Sequence, residues 1–173
     1  MIFILFKFGG TLQEEWFAGK PSGDYDAVMI DDIYNTDVLR LAANIGRTDR
    51  LKNPDATVSL RSPLCGSSIE VDIILSDGNR ITDYAHSIKA CALGQAAAAV
   101  MAVTVIGKTE KEIAAVRKQV EAMLKEENSP PDSEDWSALA ALAPAKNAKP
   151  RHGAILLPFD AVLQAIDEIN SGS

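Results

Sequence analysis

The chain has 173 residues, 47% of them apolar and 24% charged, with a formal net charge of −7. That length and composition fit one well-cored globular domain and give no sign of two. The acidic balance argues against a binder of nucleic acid or anionic membrane, because neutralising phosphate takes an excess of Lys and Arg.

The start of the chain is the least regular part. Met1 to Phe6 are apolar, but Lys7, Gly9 and Gly10 end the run. It is too short to span a bilayer, and it lacks the flank and cleavage pattern of a secretory signal. Residues 1–28 then mix Gly, Pro and acidic residues without a period. Three readings stay open: a short strand and loop, a poorly ordered tail, or an over-extended gene model, since Met29 directly precedes the first clear helix. Residues 29–173 read as the single domain. With no signal and only two cysteines, a cytoplasmic, reducing setting is expected, where thiols are more often metal-binding or reactive than structural.

Ile30, Ile33, Tyr34, Val38, Leu41 and Ile45 recur at helical spacing and predict a first helix of about four turns ending at Gly46. After Asn53-Pro54-Asp55, Val58 and Leu60 alternate with polar neighbours as a strand. Ile69, Val71, Ile73 and Leu75 alternate with Glu70 and Asp72 as a second, half-buried strand. Ser76-Asp77-Gly78-Asn79 signals a tight hairpin, and Arg80 to Ile88 returns as a third strand with blurred alternation that suggests a bulge. Ala90 to Ile106 is apolar on every side and Ala-rich, as in a buried central helix.

Thr109-Glu110-Lys111-Glu112 is a capping box. It opens a helix whose buried stripe is Ile113, Val116, Val120, Met123 and Leu124. Residues 126–135 read as an exposed acidic linker, Trp136 to Leu142 as a short helix, and Pro144 to Arg151 as a loop. A last helix carries Phe159, Val162, Leu163, Ile166 and Ile169. A helix, three successive strands and then several helices make an α+β fold: a three-stranded antiparallel meander covered on one face. Phosphate loops, nucleophile elbows and His-Glu-x-x-His helices are absent from the sequence, so it is not expected to be an enzyme.

A two-residue turn at Gly78-Asn79 pairs residues whose numbers sum to 157, and Cys65 and Cys91 sum to 156. Both thiols are therefore expected at the open end of the hairpin as one thiolate site. Cys91 opens the buried helix, where free amides and the helix dipole favour a thiolate, so it is the expected more reactive thiol. Gly66 leaves room for a ligand to approach the backbone. The plainer reading of either cysteine alone is a small buried apolar residue. His86 reads as a satisfied structural histidine of the third strand, and His152 as a loop residue.

Several stretches carry a resemblance: Ile33-Tyr34, Asn53-Pro54-Asp55-Ala56, Ser62-Pro63-Leu64-Cys65-Gly66-Ser67, Lys89-Ala90-Cys91, Ile106-Gly107-Lys108 and Arg151-His152-Gly153. On these the chain, from about Met29 to its end, resembles the NifU/IscU-type iron–sulfur cluster assembly scaffolds. The resemblance implies that family's fold and a site of three cysteines with an Asp or His, able to hold a nascent cluster or zinc. Here Ser67 stands where the family has Asp, and the third cysteine, expected at or beside Gly153, is missing. The ligands carried over are Cys65 and Cys91, with His152 as a third.

The implied function is a scaffold or carrier that binds iron or a cluster and accepts sulfur. Alternatives are a zinc-holding, SufU-like sulfur acceptor, or an adaptor that keeps the fold without metal. The implied partners are a cysteine desulfurase and recipient apo-proteins. Leu142-Ala143-Pro144-Ala145-Lys146 resembles the segment by which IscU-type proteins engage a chaperone. It lies several residues further from His152 than that pattern has it, and its plainer reading is a loop.

Overall fold

The structure, a computed structural model, describes residues 33–126 and 129–172. The readings of residues 1–28, and Ile30 of the first helix, lie outside these. The first described helix, α1, is Thr36–Ala43 and is shorter than its apolar spacing predicts. Asn35 caps it, its side chain accepting from the Val38 N–H at 3.0 Å, which puts Ile33 and Tyr34 before the helix. It ends at Asn44, ahead of Gly46.

Three strands follow, β1 (Ala56–Arg61), β2 (Ser68–Leu75) and β3 (Ile81–Lys89), paired antiparallel in the order β1-β2-β3. From Ser68↔Lys89 to Ile74↔Asp83 the β2–β3 partners do sum to 157. The connection is longer than two residues, however. Strand pairing stops at Leu75↔Ile81, and a bulge at Ile74/Leu75 restores the register. Asn79 takes the left-handed conformation there, with φ 54°.

One sheet face carries Val58, Ile69, Val71, Ile73, Tyr84 and His86, all buried. Helix α4 (His152–Ser171) lies across β1 and β2 on this face, and α2 (Ala92–Thr104) packs on α4 and β3. The small residues of α2 permit a close crossing. A Cβ added at Gly94 would come within 3.1 Å of the Ala154 carbonyl oxygen, so glycine there brings the start of α4 against α2. Helix α3 (Glu110–Lys125) opens with the predicted Thr109/Glu112 capping box and buries Ile113, Val116, Val120, Met123 and Leu124.

Two further stretches depart from expectation. The short helix at Trp136 is a longer run of 3-10 turns, Glu134–Asn147, that continues through Pro144. Its buried residues, Trp136, Leu139, Leu142 and Ala145, recur every third position, which is the period of a 3-10 helix. Trp136 packs on Phe159 with ring centroids 5.9 Å apart. After a second 3-10 turn, Lys149–Arg151, helix α4 begins at His152, so that histidine opens a helix and is buried where a loop position was expected. Among the described residues no helix is long and apolar enough to cross a membrane.

Candidate functional site

The loop between β1 and β2 closes on itself. The Ser62 N–H donates to the Ser67 carbonyl at 2.8 Å, and the Gly66 N–H to the Ser62 carbonyl at 3.1 Å. Gly66 makes that closure with φ 69°, the left-handed region where glycine costs least. A side chain there would meet open space, so conformation is what requires the glycine.

The closed loop holds the Cys65 sulfur 3.2 Å from Ser62 Oγ and 3.1 Å from Ser67 Oγ. Both serines are buried, while Cys65 keeps partial exposure. Burial pushes the Cys65 thiol up. The Ser62 and Ser67 hydroxyls, the Ser67 backbone and the Arg151 charge together outweigh it and leave the thiol below its ordinary value. The sequence singles out Cys91 from its helix terminus; the loop geometry adds that Cys65 is also placed to favour its thiolate.

Cys91 is the N-cap residue of α2 and makes no capping bond with its side chain. It lies beside the Tyr34 phenol, which burial and the nearby Cys91 raise above its ordinary value while Arg151 opposes them. One guanidinium therefore acts on both sides of the site, on Cys65 directly and on the tyrosine beside Cys91. Both cysteines are free, beyond the last pair of the β2–β3 ladder, Ser68↔Lys89.

His152 has its Nε2 3.0 Å from the Ala145 carbonyl and 3.2 Å from that of Lys146. Carbonyls only accept, so Nε2 carries a proton, which leaves Nδ1 as the nitrogen open to a ligand. That arrangement suits a metal ligand, which commonly ties its other nitrogen to a backbone carbonyl. Among the described residues, however, no three His, Cys, Asp or Glu side chains are grouped to hold a metal ion. The donor types fit zinc, but their arrangement here does not.

The roles of Ser62, Arg151 and Tyr34 were not legible in the sequence. Tyr34 reads there as an apolar helix position, and Arg151 lies far along the chain from Cys65. The nearest available signal was the pair of serines flanking Pro63-Leu64-Cys65-Gly66. Leu64, beside Cys65, is 80% exposed and borders a cavity of about 750 Å³ that His152 and Gly153 also line.

A family model described as the NifU-like N terminal domain matches residues 33–150. Among solved structures, the chain is similar to a nitrogen-fixing NifU-like protein (N-terminal) from Brucella abortus. Identity is 42%, 84% of this chain and 99% of that one are covered, and the TM-score is 0.79. It is also similar to a putative iron–sulfur cluster assembly scaffold protein for the SUF system from Fervidobacterium islandicum. There identity is 22% over 79% of this chain and 98% of the other, with a TM-score of 0.69, a likeness of fold. No curated protein matches the chain.

Proposed function

Since this chain belongs to the NifU-like N-terminal domain family, we propose that it serves iron–sulfur cluster assembly as a scaffold or carrier, accepting sulfur at Cys65 and Cys91 and taking iron or a nascent cluster as cargo. The observation that carries this reading is the Cys65 sulfur, held between two buried hydroxyls under the Arg151 charge. A thiol so placed can attack the outer sulfur of a persulfide. The exposed Leu64 beside it offers an apolar contact to a docking protein. The partners proposed are a cysteine desulfurase as donor and apo-proteins as recipients, in the cytoplasm. The role is that of a carrier, not an enzyme.

Anaerobic reconstitution with iron and sulfide tests the proposal. Wild type should develop cluster absorbance, and the Cys65→Ser variant should not. No absorbance from wild type would count heavily against a scaffold.

A zinc-holding sulfur acceptor is the second reading, favoured by the tie of His152 Nε2 to the Ala145 and Lys146 carbonyls. It requires Cys65, Cys91 and His152 to draw together on binding. Stoichiometric zinc in protein purified without chelators, lost in His152→Ala, would support it. Absence of any metal, with desulfurase binding that survives loss of both thiols, would leave an adaptor.

A further inference from the structure

We infer that Ser62, Ser67 and Gly153 form one positioning cradle for the Cys65 sulfur, in which Gly153 is glycine because the Ser62 hydroxyl uses the space of its side chain. This rests on the sulfur-accepting reading above and deepens it.

Gly153 is the second residue of α4. Its φ is not in the left-handed region, so its backbone does not call for glycine. Alanine is a better helix former than glycine, by up to about 1 kcal/mol in a helix interior. The neighbour supplies the reason: a Cβ at 153 would stand 2.6 Å from Ser62 Oγ, closer than real Cβ atoms come to anything.

The Ser62 backbone is tied within its loop, its N–H to the Ser67 carbonyl and its carbonyl to the Gly66 N–H. The freer response is rotation of its hydroxyl, which now lies 3.2 Å from the Cys65 sulfur. Residues 62 and 153 are thus coupled through one hydroxyl. Ser67 holds the sulfur from the other side at 3.1 Å.

Two bonds to one sulfur restrict its rotamer, which is what an in-line displacement at sulfur requires. In that step the Cys65 thiolate attacks the outer sulfur of a donor protein's persulfide. The new S–S bond forms on Cys65 as the donor's S–S bond breaks. The donor cysteine leaves as thiolate, and the proton on the transferred sulfur stays with it, so no outside oxidant or reductant is needed.

The test uses the full chain and a cysteine desulfurase loaded with persulfide, reading sulfane sulfur on Cys65 by intact mass and peptide mapping. Ser62→Ala and Gly153→Ala should each slow uptake at saturating donor roughly tenfold, as loss of one such bond implies. The donor concentration at half-maximal rate and the alkylation rate of Cys91 should not change. The decisive result is the double variant: Ser62→Ala/Gly153→Ala should be no slower than either single. It should also melt higher than Ser62→Ala, because alanine then fits the helix.

Rates that fall additively, or single variants as fast as wild type while wild type accepts sulfur, overturn the cradle and leave the sulfur-accepting reading standing. If wild type takes up no sulfur on Cys65, that reading falls and the cradle with it.

Discussion

The two faces of the one sheet bury polar groups in opposite ways. On the face turned away from α4, the Asp72 side chain has 0% exposure, yet it is surrounded by donors. Thr57 Oγ1 donates to it at 2.7 Å, Arg50 Nη2 at 2.6 Å and the Leu51 N–H at 3.1 Å. On the face under the helices, Tyr84 and His86 lie 5.4 Å apart, ring to ring, and neither the phenol nor either imidazole nitrogen finds a partner among the described residues.

Burial pushes the Asp72 carboxyl up, but Arg50, Thr57 and the Leu51 amide outweigh it and hold the group below the usual carboxylate range. Burial acts alone on His86 and lowers it to about 4. It drives Tyr84 well above its ordinary value against a weaker opposing charge on Arg47. Asp72 lies shallower, under the half-exposed Arg50, than Tyr84 and His86 under the helices. That lesser desolvation and the supply of hydrogen bonds from neighbours together decide whether a charged or a neutral form is buried.

The largest test of this contrast is Asp72→Ala. It strands the Thr57 hydroxyl and the Leu51 amide and releases Arg50, which is half exposed and keeps Glu70, and the expected loss is about 2 kcal/mol in urea unfolding near neutral pH. A loss under about 1 kcal/mol would break the comparison, because Asp72 would then be no better served than the pair on the other face. Because the folded Asp72 is lowered, its contribution is complete above the unfolded value near 3.9 and is lost as pH falls below it.

His86 works in the window just above. Its folded value of about 4 lies under the unfolded 6.5, so the unfolded chain binds the extra proton between them. Stability is then full above about pH 6.5 and falls toward pH 4, by at most about 3 kcal/mol. His86→Phe should flatten that limb and leave the Asp72 limb in place. Equilibrium unfolding measured near pH 7 and near pH 5 checks it. An unchanged slope would mean that protonated His86 is accommodated in the core.

Much of this fold is legible in local pattern. The bulge, the capping box and the buried stripe of α3 each follow from period or short motif, because their causes lie within a few residues, whereas the β2–β3 register matches only because the bulge offsets a connection longer than the expected turn. The features that escaped have distant causes. Asp72 alternates as an outward residue in β2, and only the Arg50 loop folding over that face buries it. Loop spacing places His152 in the open, but it opens α4 buried, with its ring against the Ala145 and Lys146 carbonyls of the 3-10 run.

Site geometry was harder still. The hairpin brings Cys65 and Cys91 to one end, as their numbers imply. That Cys65 is gripped by two serines depends on the closure of the 62–67 loop. Gly153, some ninety residues on, is the residue that leaves Ser62 its place. His86 was expected to be a satisfied structural histidine. It is buried, and its ring nitrogens find no hydrogen-bond partner among the described residues; a period-two pattern gives the face a residue takes, not the donors waiting there.

The smallest expected effect separates burial from bonding most cleanly. Tyr84→Phe removes one oxygen that makes no hydrogen bond with the described residues, and it leaves the ring, its packing and its contact with His86. An unpaired hydroxyl in the core costs desolvation without return. The variant should therefore match wild type or exceed it by up to about 1 kcal/mol, measured by urea unfolding near neutral pH. On the other face, removing only the Thr57 hydroxyl with Thr57→Val should cost about 1 kcal/mol, since that hydroxyl donates to the buried carboxylate. If Tyr84→Phe instead destabilises by as much as Thr57→Val, the phenol is bonded in solution and the two faces follow one rule.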